Sequence, residues 1–171
     1  MRNSPSLSDA DAKKMAGALS NVLADQYAIY VKTHGFHWNV EGPDFHELHL
    51  LLETQYTKLW EALDTIAERI RALGHYAIGS NSEMMKLAKV GEEKGVPGQT
   101  EMLQQLLEDH DICCAGIKKA HDVADTVDDI GSASLLEEWL LDHEEMAWML
   151  RSQLKKLMTG EPVKSVVASV Q

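Results

Sequence analysis

Four of the chain's eight histidines fall inside one 22-residue stretch, KTHGFHWNVEGPDFHELHLLLE, from Lys32 to Glu53. Imidazoles gathered this densely raise the prospect of metal binding, which then needs carboxylates at matching positions. His49 and Glu53 are four residues apart, and so are Asp64 and Glu68. On a helix each pair presents two ligands from adjacent turns. At about 100° per residue, Glu53 and Asp64 differ by only about 20° around the axis, and all four fall within roughly 100°. Yet His49 and Asp64 are fifteen residues apart, roughly 22 Å along a helix, and cannot meet on one ion within one chain. The alternative for such residues is a solvated helix face.

Two copies of the helix, packed antiparallel across a two-fold axis, remove the obstacle. Residues that face each other must then have numbers with a constant sum. His49 and Glu68 sum to 117, and so do Glu53 and Asp64. One axis near residues 58–59 therefore brings His49 opposite a second copy's Glu68, and Glu53 opposite its Asp64, and a symmetric dimer makes that site twice. His37, expected just before the helix, reaches over as a further nitrogen ligand. Two imidazoles and three carboxylates suit iron or manganese, and zinc would also bind. The Glu-x-x-His pattern of intrachain di-iron bundles does not occur in the sequence.

The elements that must carry these residues are helical. The chain has 171 residues, only four prolines and eleven glycines, enough length for one domain with a real core. Met15, Leu19, Val22, Leu23, Tyr27 and Tyr30 recur three or four apart and predict a helix from about Ser8 to Val31. Gly42-Pro43 marks a break, with Pro43 suited to the first turn of a second helix that Gly74 closes after Leu73. Residues 75–99 form a looser connection in which NSEMMKLAKV makes a short helix. A third helix runs from Thr100 to about Val127. Ser134-Leu135-Leu136-Glu137 reads as a capping box for a fourth that ends near Met158. The expectation is an all-α, single-domain (1–171) four-helix bundle with one long crossover between helices 2 and 3, and with flexible tails over about 1–8 and 160–171.

The net charge of -11 opposes simple nucleic-acid binding, which ordinarily uses a basic footprint. Cys113 and Cys114 are adjacent and cannot join distant segments, which fits a reducing cytoplasm. No apolar run approaches the ~18 residues of a membrane span, and no signal-peptide pattern opens the chain.

HWNVEGPDFHELH and DTIAERIRALG, together with HEEMAWMLRS in the last helix, resemble the signatures of the Dps family, the DNA-binding proteins from starved cells or miniferritins. The resemblance implies a ferritin-like bundle with a short helix in the middle connection. It also implies a hollow homododecamer and Fe²⁺ oxidation by hydrogen peroxide or oxygen at sites shared across two-fold interfaces. By motif the metal and catalytic residues fall on His37, His49, Glu53, Asp64 and Glu68, the last two from the neighbouring subunit. Glu53 stands where many members have Asp. Trp38, beside His37, either donates an electron to the site or packs at the dimer interface. Asp125, Asp128 and Asp129, with Asp122, are candidates for an acidic iron-entry pore, although Ser134 departs from the family pattern. His34 is either an outer ligand or locally hydrogen-bonded, and exposure is expected for His46. The expected function is an iron-storage ferroxidase that protects against oxidative damage in the cytoplasm. The alternatives are a nucleoid-associated DNA-packing protein with little oxidase activity, and a structural zinc dimer. The tails carry few lysines, so DNA binding is expected to be weak.

Overall fold

The computed structural model describes residues 6–159, and five helices and no strand occur among them. α1 spans Asp9–Asn39, α2 Phe45–Ala72, α3 Asn81–Leu87, α4 Gln99–Thr126 and α5 Ile130–Thr159. The four long helices form two hairpins, α1/α2 and α4/α5, that pack together mainly through α1 and α4. The short α3, in the crossover, lies against α1. The expected bundle, including its extra helix, is present.

Three boundaries differ from the sequence reading. α1 does not stop at Val31 but continues two turns to Asn39. Thr33 and Phe36 are buried on that extension, the Thr33 hydroxyl donates to the Ile29 carbonyl at 2.8 Å, and nothing breaks the helix before Gly42-Pro43. Pro43 lies in the turn ahead of α2 rather than in its first helical turn. α5 starts four residues before Ser134, so the expected capping box is interior to the helix. Asp129 is the cap instead: its carboxylate accepts from the Ser132 N–H at 3.2 Å and from the Ser132 hydroxyl at 2.6 Å. A cap of this kind satisfies a backbone donor that the first helical turn leaves unpaired.

Of the expected N-terminal tail, only residues 6–8 are among the described residues. Leu7 is buried in the core, and the Ser8 side chain caps α1 by accepting from Asp11 N–H at 3.2 Å. The expected flexibility of residues 1–5 and 160–171 lies outside the described residues. Gly74 ends α2 as expected. With φ at 85° it allows its own N–H to reach the Arg71 carbonyl while the His75 N–H reaches that of Ile70, the paired bonds of a Schellman turn.

The core has two apolar clusters along the bundle. One includes Met15, Leu19, Leu23, Ile66, Ile70 and Trp139. The other includes Ile29, Leu48, Leu52, Leu59, Leu103 and Leu150. Burying a large aliphatic side chain contributes about 1.5–3 kcal/mol, so these residues hold the hairpins together.

The connection after α3 is anchored by one charge. Asp25, buried on α1, accepts hydrogen bonds from the backbone N–H groups of Lys89 and Val90. Nearby, Lys32 and Asp109 form a buried ion pair at 2.7 Å between α1 and α4. Burial pushes the Asp109 carboxyl above its ordinary value, against the opposing pull of Lys32.

Candidate metal centre

Because α1 continues to Asn39, His34, His37 and Trp38 ride on its last turns rather than in a loop. The short turn to α2 then lays His37 against His49. Their rings stack with centroids 3.8 Å apart. His37 Nδ1 is 2.9 Å from the carbonyl oxygen of His49, and His49 Nδ1 is 2.9 Å from that of His37. A carbonyl only accepts, so each Nδ1 carries a proton and donates it. In a neutral ring the lone pair is then on Nε2. Both imidazoles are thus fixed in the tautomer and orientation that a metal ligand needs, by backbone partners of the kind that commonly orient such histidines.

Aromatic side chains that sequence reasoning did not single out surround this pair. Tyr56 stacks on His34 at 3.9 Å and meets His37 edge-on at 5.1 Å. Tyr30 hydroxyl is 3.2 Å from His34 Nδ1. Burial, and next the His37 ring, hold His34 below the ordinary imidazole value, so the neutral ring accepts the hydroxyl proton. His34 is therefore satisfied locally. A signal for Tyr56 existed, since it follows His49 by seven residues and shares its helical face. Trp38 is 67% exposed, with its ring 4.3 Å from His34. His46 is exposed, as expected.

Glu53 lies one turn along α2 from His49; Asp64 and Glu68 follow much further down the helix. All three are exposed, and their carboxylates make no hydrogen bond or ion pair among the described residues. One chain brings His37 and His49 together but not the carboxylates: no group of three candidate ligands converges on one point among the described residues. Trp60, one turn before Asp64, is 59% exposed, and Val31 is 48% exposed. The apolar Trp60 ring thus stands in solvent beside the Asp64 carboxylate.

The acidic residues in the last turns of α4 and the turn to α5 divide into two kinds. Asp122, Asp125 and Asp128 are exposed, and Asp125 is 3.3 Å from His121 Nδ1. Asp128 takes a φ of 57°, a backbone conformation that Asp tolerates better than most residues. Asp129 is buried, caps α5 and accepts from Arg69 at 2.6 Å. Its carboxylate is already committed within the chain.

A ferritin-like domain profile matches residues 16–159. An uncharacterized low temperature-induced protein of Nostoc sp. is 40% identical over 160 residues, 92% of this chain and 87% of that protein. A DNA protection during starvation protein of Brevibacillus brevis is 34% identical, covering 82% of this chain and 95% of its own length. Among solved structures, a Dps protein of Vibrio cholerae, described as belonging to a superfamily of ferritin-like diiron-carboxylate proteins, superposes with a TM-score of 0.83. The two are 31% identical, and the match covers 86% of this chain and 93% of that one. With its paired histidines, its crossover helix and matches spanning most of its length, the chain belongs to the Dps family of ferritin-like proteins.

Proposed function

We propose that this protein is a ferroxidase and iron-storage cage, built as a homododecamer, that oxidises Fe²⁺ with hydrogen peroxide or oxygen and protects its cytoplasm from oxidative damage. The observation that carries this reading is the reciprocal pairing of His37 and His49, which presents two Nε2 lone pairs beside Glu53. The donor set is completed by Asp64 and Glu68 of a two-fold-related copy. Both carboxylates are unpaired among the described residues, and the exposed Trp60 beside Asp64 gains from being covered.

Fe²⁺ is the substrate. The imidazoles and carboxylates hold two ferrous ions between subunits, and each ion gives one electron to a peroxide. With two protons taken up, two Fe³⁺ and two waters result, and no hydroxyl radical is released. The carboxylates stabilise the higher charge of the product. Glu53, one methylene longer than Asp, reaches further into the site from its turn of α2. Trp38 is placed to supply an electron or to pack at the interface. Exposed Asp122, Asp125 and Asp128 form the acidic patch that draws Fe²⁺ inward.

The test is anaerobic Fe²⁺ loading followed by hydrogen peroxide, monitored by absorbance, for wild type, His49→Ala and Asp64→Ala. Rapid oxidation is expected in wild type and loss in both variants. Cages assembled from a mixture of the two variants regain activity, because one intact site then forms from two chains. Unchanged oxidation in both variants overturns the assignment.

A further inference from the structure

Away from the candidate metal centre, Gln26 from α1, His143 from α5 and His110 from α4 form a hydrogen-bonded chain in the bundle interior, and Gln55 from α2 bonds separately to α5. All are at most 3% exposed. Gln26 Nε2 donates to the Leu59 carbonyl at 3.2 Å, which turns its Oε1 toward His143. His143 Nε2 is 2.8 Å from that oxygen and must therefore carry the proton. His143 Nδ1 is then a bare acceptor, and His110 Nδ1, 2.8 Å away, donates to it. His110 Nε2 is left as a lone pair with no hydrogen-bond partner among the described residues, as is Gln55 Oε1. Gln55 Nε2 donates to the Met146 carbonyl at 3.1 Å.

We propose that the His110–His143 pair of the α4/α5 hairpin, bonded through His143 to Gln26 of α1, is a proton-sensitive fastener in the bundle interior, closed while both rings are neutral and released in acid. The bond from His143 to Gln26 and the bond from Gln55 to Met146 both cross from one hairpin to the other. With both rings neutral the donors and acceptors fix the stated tautomers, whereas protonation of both rings sets two N–H groups against each other at the Nδ1···Nδ1 contact.

An added proton has no anion to meet. From α1 the facing group is the amide of Gln26, and from α2 Gln55 bonds to the Met146 carbonyl, three residues after His143. The acidic groups flanking the pair are committed or exposed: on α4 Asp109 pairs with Lys32 and Asp111 is exposed, on α5 Asp142 pairs with Lys58, and Asp25 of α1 accepts from the Lys89 and Val90 N–H groups. On α4, Cys113 follows His110 by three residues, and burial holds its thiol protonated. On α5, Glu144 and Glu145 beside His143 are exposed. A cation is disfavoured there for the same reason, since a buried charge without a counter-charge is costly.

Burial keeps both rings neutral below the ordinary imidazole range, His143 to about 4. In the unfolded chain they titrate near 6.5. The unfolded state therefore binds more protons as the pH falls below about 6.5, and stability drops over that interval.

The test uses the full chain and does not depend on the ferroxidase reading. Urea unfolding is measured from pH 7 to 4.5 for wild type and for the double variant His110→Gln, His143→Gln, whose amides do not titrate. In wild type the two rings contribute about a 100-fold fall in the folding constant per pH unit, tenfold for each, below about pH 6. The variant is expected to lose that part of the slope. An equally steep fall in the variant overturns the proposal. Ring-nitrogen NMR of wild type serves even if the variant does not fold. His110 protonated on Nδ1 and His143 on Nε2, both neutral until tertiary structure is lost, support it; titration of either near 6.5 with the fold intact overturns it.

Discussion

The imidazoles of His37 and His49 are each held by the other residue's backbone carbonyl, through two Nδ1–H bonds of 2.9 Å. Because the acceptors are main-chain atoms, replacing one histidine leaves the other's anchor in place. His37→Ala and His49→Ala are therefore each expected to remove one nitrogen ligand and little else. Fe²⁺ affinity, read by anaerobic calorimetry, should fall about tenfold or more in each. The unfolding free energy read from urea denaturation should fall by no more than about 1–2 kcal/mol. A variant that unfolds instead would show the pair to be chiefly structural.

Asp129 joins three duties that the sequence does not advertise: it caps α5, binds the Ser132 hydroxyl and pairs with Arg69 of α2, whose Nε also donates to Ser132 at 2.9 Å. Asp129→Ala should destabilise the protein by about 2–4 kcal/mol, combining the lost cap with a partly buried arginine left without its partner. Asp125→Ala, at an exposed position, should cost less than about 1 kcal/mol. Chemical denaturation of both variants separates the structural aspartate from one available to cations.

The Lys32–Asp109 pair is almost completely shielded from solvent. Asp109→Asn leaves an ammonium buried without its charge partner and is expected to cost about 3–5 kcal/mol. Lys32→Met combined with Asp109→Leu should recover most of that loss, since an apolar pair of similar volume avoids the desolvation cost. A double variant no more stable than Asp109→Asn would mean that the pair's hydrogen-bonding geometry, rather than charge burial, dominates.

With a net charge of -11 per chain, DNA binding is expected to be weak at physiological salt despite the name of the Brevibacillus brevis relative. A gel-shift salt series checks this. Retardation that persists in 150 mM salt would demand a local basic surface stronger than the overall field.

The helices and the candidate ligands were legible in the sequence because both depend on local spacing. Apolar residues three or four apart specify which side of a helix is buried, and the same period aligns His49, Glu53, Asp64 and Glu68. The equal sums of His49 with Glu68 and Glu53 with Asp64 likewise follow from position along one rigid helix. Helix ends were less legible. Thr33 and Phe36 carry α1 past Val31 through burial against other helices, and Asp129 rather than Ser134 begins α5 because Arg69 and Ser132 meet its carboxylate there.

Only tertiary structure decided which histidines face each other. His37 and His49 belong to different helices, and His110 and His143 are thirty-three residues apart. Each pair's protons are fixed by acceptors that folding supplies: the exchanged main-chain carbonyls in one case, and Gln26 in the other. A linear spacing rule carries information along a helix. Tautomer and burial depend on what packs across it, and that is settled when the hairpins close.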